Sequence, residues 1–215
     1  FTNKRTDEYG GSETNRLRIV KNIFGKLKKK IDMSKVGVRI SGDDYVPNGL
    51  NIIKQKNLIK LLDDYGISFY TVTAGLYETA KYKYINMKNG NYWNYSEQLK
   101  KITNNKVITQ GGIGSIDQGE SLLSKNKGDL FGMAQALIAD PEIVTKSLKN
   151  KESTVFECLA HVKVGSCHRC RYLKQKNFNF SCVTPSAWQP NLSKSNTRQK
   201  DLKFWKKTIE KIKKN

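Results

Sequence analysis

The sequence predicts an α/β fold built on parallel strands, and three observations carry that expectation. Between residues 16 and 149, apolar residues alternate between a helical and a strand period through four successive βα units. Four such units imply parallel strands joined by right-handed crossovers. Glycine-rich turns follow the third and fourth strands, whereas the first βα turn carries no GxGxxG. That disfavours a doubly wound dinucleotide-binding sheet and suits the closing strands of a TIM (β/α)8 barrel, where a phosphate site sits. Four units are half of such a barrel.

The elements follow in order. Ser12 reads as the N-cap of a helix whose apolar positions include Leu17, Val20, Phe24 and Leu27. Residues 36–41 are a short β-branched run, hence a strand. Residues 52–65 place Ile53, Leu58, Leu61 and Leu62 on one helical face, with Gly66 as the stop. Residues 68–75 are a strand, 77–94 a long aromatic and polar loop, and 96–103 a short helix. Residues 106–112 are a strand running into glycines, and 115–125 a helix with a Ser cap. Residues 129–134 are the last strand, and 141–150 a helix with Pro141 in its first turn. The expected organisation is a half-barrel over 1–150, a Cys-containing extension over 151–190 and a basic amphipathic helix over 191–215.

Composition bounds the function. The chain has 215 residues, enough to bury a core. Its hydrophobic fraction is 37% and its mean hydropathy −0.63, both low for a compact enzyme. Net charge is +20, from 39 Lys+Arg against 19 Asp+Glu. The excess is mostly Lys and is spread along the chain, so solvated helix faces explain it better than a nucleic-acid surface, which concentrates Arg with exposed aromatics. No apolar run approaches 18 residues, so no transmembrane helix is expected, and the composition reads as cytoplasmic. The tail carries nine Lys or Arg against two acids between 191 and 215. Leu202, Trp205, Ile209 and Ile212 share one helical face there, which fits packing on the barrel better than a membrane surface.

Several residues have the character of a site. Arg39 sits mid-strand between Val38 and Ile40. A charge there is either paired internally or directed at a ligand, and the strand alone leaves both open. Gly111-Gly112-Ile113-Gly114 directly follows a strand, where glycines allow close backbone approach and present N–H groups to a phosphate.

The opening stretch, Asn3-Lys4-Arg5-Thr6-Asp7-Glu8-Tyr9-Gly10-Gly11-Ser12 with Asn15-Arg16-Leu17-Arg18, closely resembles the loop after the fourth barrel strand in the old yellow enzyme family of FMN-dependent oxidoreductases. Val38-Arg39-Ile40-Ser41 resembles the family strand whose Arg lies against the flavin ring. Gly111-Gly112-Ile113 matches its phosphate loop. Residues 131–141 resemble the family's second phosphate motif, with Ala134 in place of Gly and Gln135 in place of Arg. The resemblance implies FMN as cofactor, NADH or NADPH as reductant and a small-molecule acceptor such as an electron-poor alkene. It implies flavin contacts from Arg39, Gly111, Gly112, Ala134 and Gln135. The lost Arg charge and the added methyl lead us to expect weaker phosphate binding. The family loop lies in mid-chain, so the chain reads as the C-terminal half of the enzyme. The catalytic His pair and Tyr are then expected upstream of Phe1, with none in this chain. Such a half is expected to be inactive alone and to pair with a missing N-terminal half-barrel or with itself through its open edges. The alternative is a non-enzymatic half-barrel remnant.

Cys158, Cys167, Cys170 and Cys182 lie close together, with His161 and His168 among them. Relatives near 2,4-dienoyl-CoA reductase bind a 4Fe–4S cluster through C-x2-C-x3-C-x11-C. This chain keeps the x2 and x11 spacings and lacks the x3 step. No cluster is therefore expected. Degenerate thiols rank first, zinc through Cys158, His161, Cys167 and Cys170 second, and a cluster of altered spacing third.

Overall fold

The computed structural model describes residues 1–76, 91–155 and 157–158. They fall into two compact units. The first comprises Phe1–Gly112 with Gly119–Gly132, and the second Ile113–Gln118 with the chain from Met133 onward. The expected extension and basic tail lie, apart from a few residues including Cys158, outside the described residues.

The first unit is built on a parallel sheet of four strands in the order β1 (Gly37–Ser41), β2 (Phe69–Thr73), β3 (Lys106–Gln110) and β4 (Leu130–Gly132). Arg39 pairs in register with Thr71, Phe69 with Lys106, and Ile108 with Leu130. The helices α1 (Glu13–Leu27), α2 (Lys56–Asp64) and α3 (Asn91–Lys100) belong to this unit. A fourth, α4 (Ile116–Ser124), begins in the second unit.

Strand alternation decides which side chains meet the helices. Ile40, Tyr70, Val72 and Val107 are buried together with Ile59 and Leu62 of α2. Val20, Phe24 and Leu27 of α1 pack against the same core. Tyr70 is fully buried, and its hydroxyl donates to Asp63 Oδ1 at 2.6 Å. Burial first, then the bond to Asp63, pushes its phenol far above the ordinary range.

Local signals set the helix ends. The Ser12 hydroxyl accepts the Asn15 N–H at 3.2 Å and starts α1. Arg18 Nε donates to the Glu8 carbonyl at 2.8 Å, and Arg16 donates to the Gly11 carbonyl, so α1 itself holds the opening loop. At β4, Asp129 accepts from Lys100 Nζ at 2.8 Å and from the Val107 N–H at 2.9 Å, tying the last strand to α3 and β3.

Several boundaries differ from the sequence expectation. α3 begins at Asn91, within the expected loop, because Tyr92, Trp93 and Tyr95 find tertiary partners that outweigh their modest helix propensity. The last strand is only Leu130–Gly132. A short helix α5 (Gln135–Ala139) follows it, and α6 (Ile143–Leu148) starts two residues beyond Pro141.

In the second unit Ile113, Ala136, Ala139 and Ile143 are buried. Asp140, also buried, accepts the Glu142 N–H at 3.0 Å and Lys146 Nζ at 2.6 Å, and Lys146 reaches on to the Thr154 carbonyl. Charge pairing offsets the cost of burying that carboxylate. Ser115 and Gln118 together hold the start of α4. Ser115 Oγ accepts the Gln118 N–H, and Gln118 Oε1 accepts the Gly114 N–H.

Candidate functional site

The candidate residues of the first unit sit on one sheet face and at the C-terminal strand ends. Arg39 alternates with the inward-facing Val38 and Ile40 and lies on the face opposite the helices, exposed. Among the described residues no carboxylate forms an ion pair with it. Thr71, Ile108 and Gln110 share that face by the same alternation. Gln110 Nε2 donates to the Val72 carbonyl at 2.8 Å, which braces β3 against β2 near their exits.

Beyond Gln110 the chain turns through Gly111 (φ 91°) and Gly112 (φ 69°). Both lie in the left-handed region that favours glycine. A Cβ at Gly111 would stand 2.3 Å from Tyr92 Cδ2, so the backbone approaches the aromatic ring as closely as glycine permits. The Trp93 indole N–H donates to the Gly111 carbonyl at 2.7 Å. Gly112 is buried, and among the described residues no backbone carbonyl accepts its N–H.

α3 also reaches the exit of β1. The Tyr95 ring occupies the space where a Cβ at Gly42 would stand. Its hydroxyl lies 3.1 Å from that of Tyr45 and donates to Asp43 Oδ2 at 3.4 Å. Burial raises both phenols, and in Tyr95 the bond to Tyr45 adds to the rise, so both stay neutral near pH 7.

The second unit carries Ala134 and Gln135. Ala134 is exposed and has φ −95° and ψ −54°, a backbone any L residue adopts. Gln135 is half-buried and opens α5. Cys158 is buried, while Cys167, Cys170, Cys182, His161 and His168 lie outside the described residues. Among the described residues no group of three His, Cys, Asp or Glu is gathered as for a metal, and none forms a helix long and apolar enough to cross a membrane.

Sequence reasoning singled out Arg39 and the two glycines. It missed Trp93, Tyr95 and Gln110. Trp93 lies in the stretch read as loop and Tyr95 between that loop and the expected helix, and no sequence spacing links Trp93 to a carbonyl eighteen residues on. Gln110 was visible only as the last residue before a glycine pair.

The fold defines the class first. An open four-stranded parallel sheet, with glycine exits at its C-terminal edge, is consistent with a partial TIM barrel. The chain belongs to the NADH:flavin oxidoreductase / NADH oxidase family, whose signature covers residues 1–154. This is the old yellow enzyme family. The chain is 28% identical over 162 residues to an NADH oxidase of Thermoanaerobacter brockii, a match covering 74% of this chain and 25% of that protein. It is 27% identical over 161 residues to a metal reductase of Desulforamulus reducens, covering 74% and 24%. It thus spans about a quarter of the length of these curated relatives. Among solved structures, 2-naphthoyl-CoA reductase superposes with a TM-score of 0.72 at 20% identity, covering 85% of this chain and 27% of that one. Morphinone reductase superposes with a TM-score of 0.52 at 20% identity, covering 70% and 38%. These likenesses concern the fold.

Proposed function

We propose that this chain supplies part of the flavin site of an FMN-dependent NAD(P)H oxidoreductase that reduces an electron-poor alkene or a similar small acceptor. The observation that carries the reading is the exit of β3. Two left-handed glycines, the second of them a buried residue whose N–H no backbone carbonyl among the described residues accepts, form a backbone donor site suited to a phosphate. Such a site binds an anion without a side chain.

Bound FMN would supply two-electron chemistry between a reduced nicotinamide and the acceptor. The residues of this chain would bind and tune it. Gly111 and Gly112 would donate N–H groups to the phosphate. Arg39, exposed and without an ion-pair partner among the described residues, would place its cation near the flavin ring and favour negative charge there. For Ala134 and Gln135 the family resemblance implies a weaker phosphate contact than the family's own, since Gln hydrogen-bonds without the charge and fork of Arg.

Titration of the 215-residue chain with FMN and with riboflavin tests this, because the two differ only by the phosphate. FMN should bind more tightly, and Arg39→Ala should weaken both ligands, since both carry the ring. Equal affinity for FMN and riboflavin would remove the phosphate assignment. No binding of either would favour a non-enzymatic half-barrel.

A further inference from the structure

We propose that Trp93 is a positioning residue: its indole N–H fixes the 111–112 peptide so that the Gly112 N–H points away from α3, toward a bound phosphate. The inference rests on the phosphate reading given above.

In a trans peptide the C=O of one residue and the N–H of the next point in opposite directions. No described peptide bond is cis. The Trp93 indole holds the Gly111 carbonyl at 2.7 Å. The N–H of Gly112 belongs to the same peptide plane and is therefore turned to the other side. There it meets no backbone carbonyl among the described residues, although Gly112 is buried. A buried N–H without a partner is costly, and an anion would satisfy it.

This peptide needs a brace. It lies between two glycines, which tolerate φ of either sign, so a peptide flip meets little steric resistance. A flip would replace the N–H facing the ligand with a carbonyl oxygen, turning a phosphate donor into a repulsive acceptor. The Trp93 bond opposes that flip directly. The Tyr92 ring, standing where a Gly111 Cβ would be, walls the same side. The first turn of α3 thus sets the polarity of the β3 exit from outside the glycine loop.

The test separates phosphate from ring. The 215-residue chain and its Trp93→Phe variant are titrated with FMN and with riboflavin. Trp93→Phe keeps an aromatic ring and removes the donor together with part of the indole's volume, a loss that would affect both ligands alike. It should cut the FMN-over-riboflavin preference by roughly three- to tenfold, the scale of one hydrogen bond, and leave riboflavin affinity unchanged. Trp93→His, whose Nε2 has a similar reach, should restore the preference. Should Trp93→Phe fail to fold, the unaltered chain answers by NMR. Exchange of the Trp93 indole proton should slow on adding FMN and not on adding riboflavin, and unchanged exchange overturns the proposal. A native preference that survives in Trp93→Phe also overturns it and leaves the phosphate reading standing. An equal loss for both ligands overturns it too, because it marks general damage. Absence of any preference in the native chain instead removes the phosphate reading itself.

Discussion

Gly111→Ala is the most incisive perturbation of the β3 exit, because two separate costs meet at one atom. The first is backbone strain. At φ 91° an L residue sits outside its favoured regions, at about 1–2 kcal/mol. The second is steric. The new Cβ would lie 2.3 Å from Tyr92 Cδ2 and 2.9 Å from Cε2, closer than carbon atoms approach, so the ring or the turn must move. Overpacking of this kind costs about 1–3 kcal/mol. The expected destabilisation is therefore about 2–5 kcal/mol. Gly11→Ala isolates the first cost, since Gly11 has φ 71° and its Cβ would meet nothing within 4 Å. It should lose only about 1–2 kcal/mol. Tyr92→Ala in the Gly111→Ala background should recover the steric part, which appears as a non-additive coupling of about 1–3 kcal/mol. Urea unfolding followed by far-UV circular dichroism measures the native chain, Gly11→Ala, Gly111→Ala, Tyr92→Ala and the 111/92 double variant. The reasoning fails if Gly111→Ala costs no more than Gly11→Ala, or if the two substitutions at 111 and 92 are additive.

Ala134→Gly combined with Gln135→Arg should tighten FMN by about tenfold without affecting riboflavin, because a charged fork strengthens a phosphate contact; an unchanged FMN affinity would place the phosphate elsewhere. Burial tends to raise the Asp129 carboxyl, but Lys100 and the Val107 N–H outweigh it and hold the group below the usual carboxylate range. Its contribution is therefore complete above the unfolded value of about 4 and is lost as pH falls through the lower folded value. Lys100→Met should flatten that acid dependence, and an identical stability profile below pH 5 would contradict the pairing. Thr109→Val should be neutral or stabilising by up to about 1 kcal/mol in thermal melts, since Thr109 Oγ1 is buried with no partner among the described residues. A clear loss of stability there would reveal a partner.

How much of this could be read from sequence follows from what each signal encodes. The strands announced themselves. Val36–Ser41 and Lys106–Gln110 are short β-branched runs bounded by polar or glycine residues, and strand alternation already separates Arg39 from Ile40. The start of α3 was hidden because Asn91-Tyr92-Trp93-Asn94-Tyr95 is a run of Asn and aromatic residues, all of modest helix propensity, that continues the polar aromatic stretch before it. Those rings are helical because of what they touch, and sequence spacing does not encode the touching partner. α5 was missed because five residues are too few to display a period. The chemical character of Arg39 was legible and its surroundings were not. A lone charge in a strand states that a partner or a ligand is needed, and only the arrangement of the other strands shows that no carboxylate among the described residues answers it.

The two proposed phosphate motifs also differ in what they require of glycine. At Gly111 the positive φ and the Tyr92 ring both forbid a side chain, so that glycine is dictated by the fold whether or not a ligand binds. At Ala134 the backbone is ordinary, with φ −95° and ψ −54°, and the methyl is exposed. A glycine there would serve only a ligand's close approach, and its replacement by alanine costs the fold nothing. Departures from a family motif are thus cheapest where the motif serves the ligand alone. By that logic the Ala134 and Gln135 departures would weaken the proposed phosphate contact while leaving the chain free to fold, and the restoring substitutions should change phosphate affinity without changing the melting temperature. A shift in stability accompanying the gain would show that position 134 carries a structural load as well.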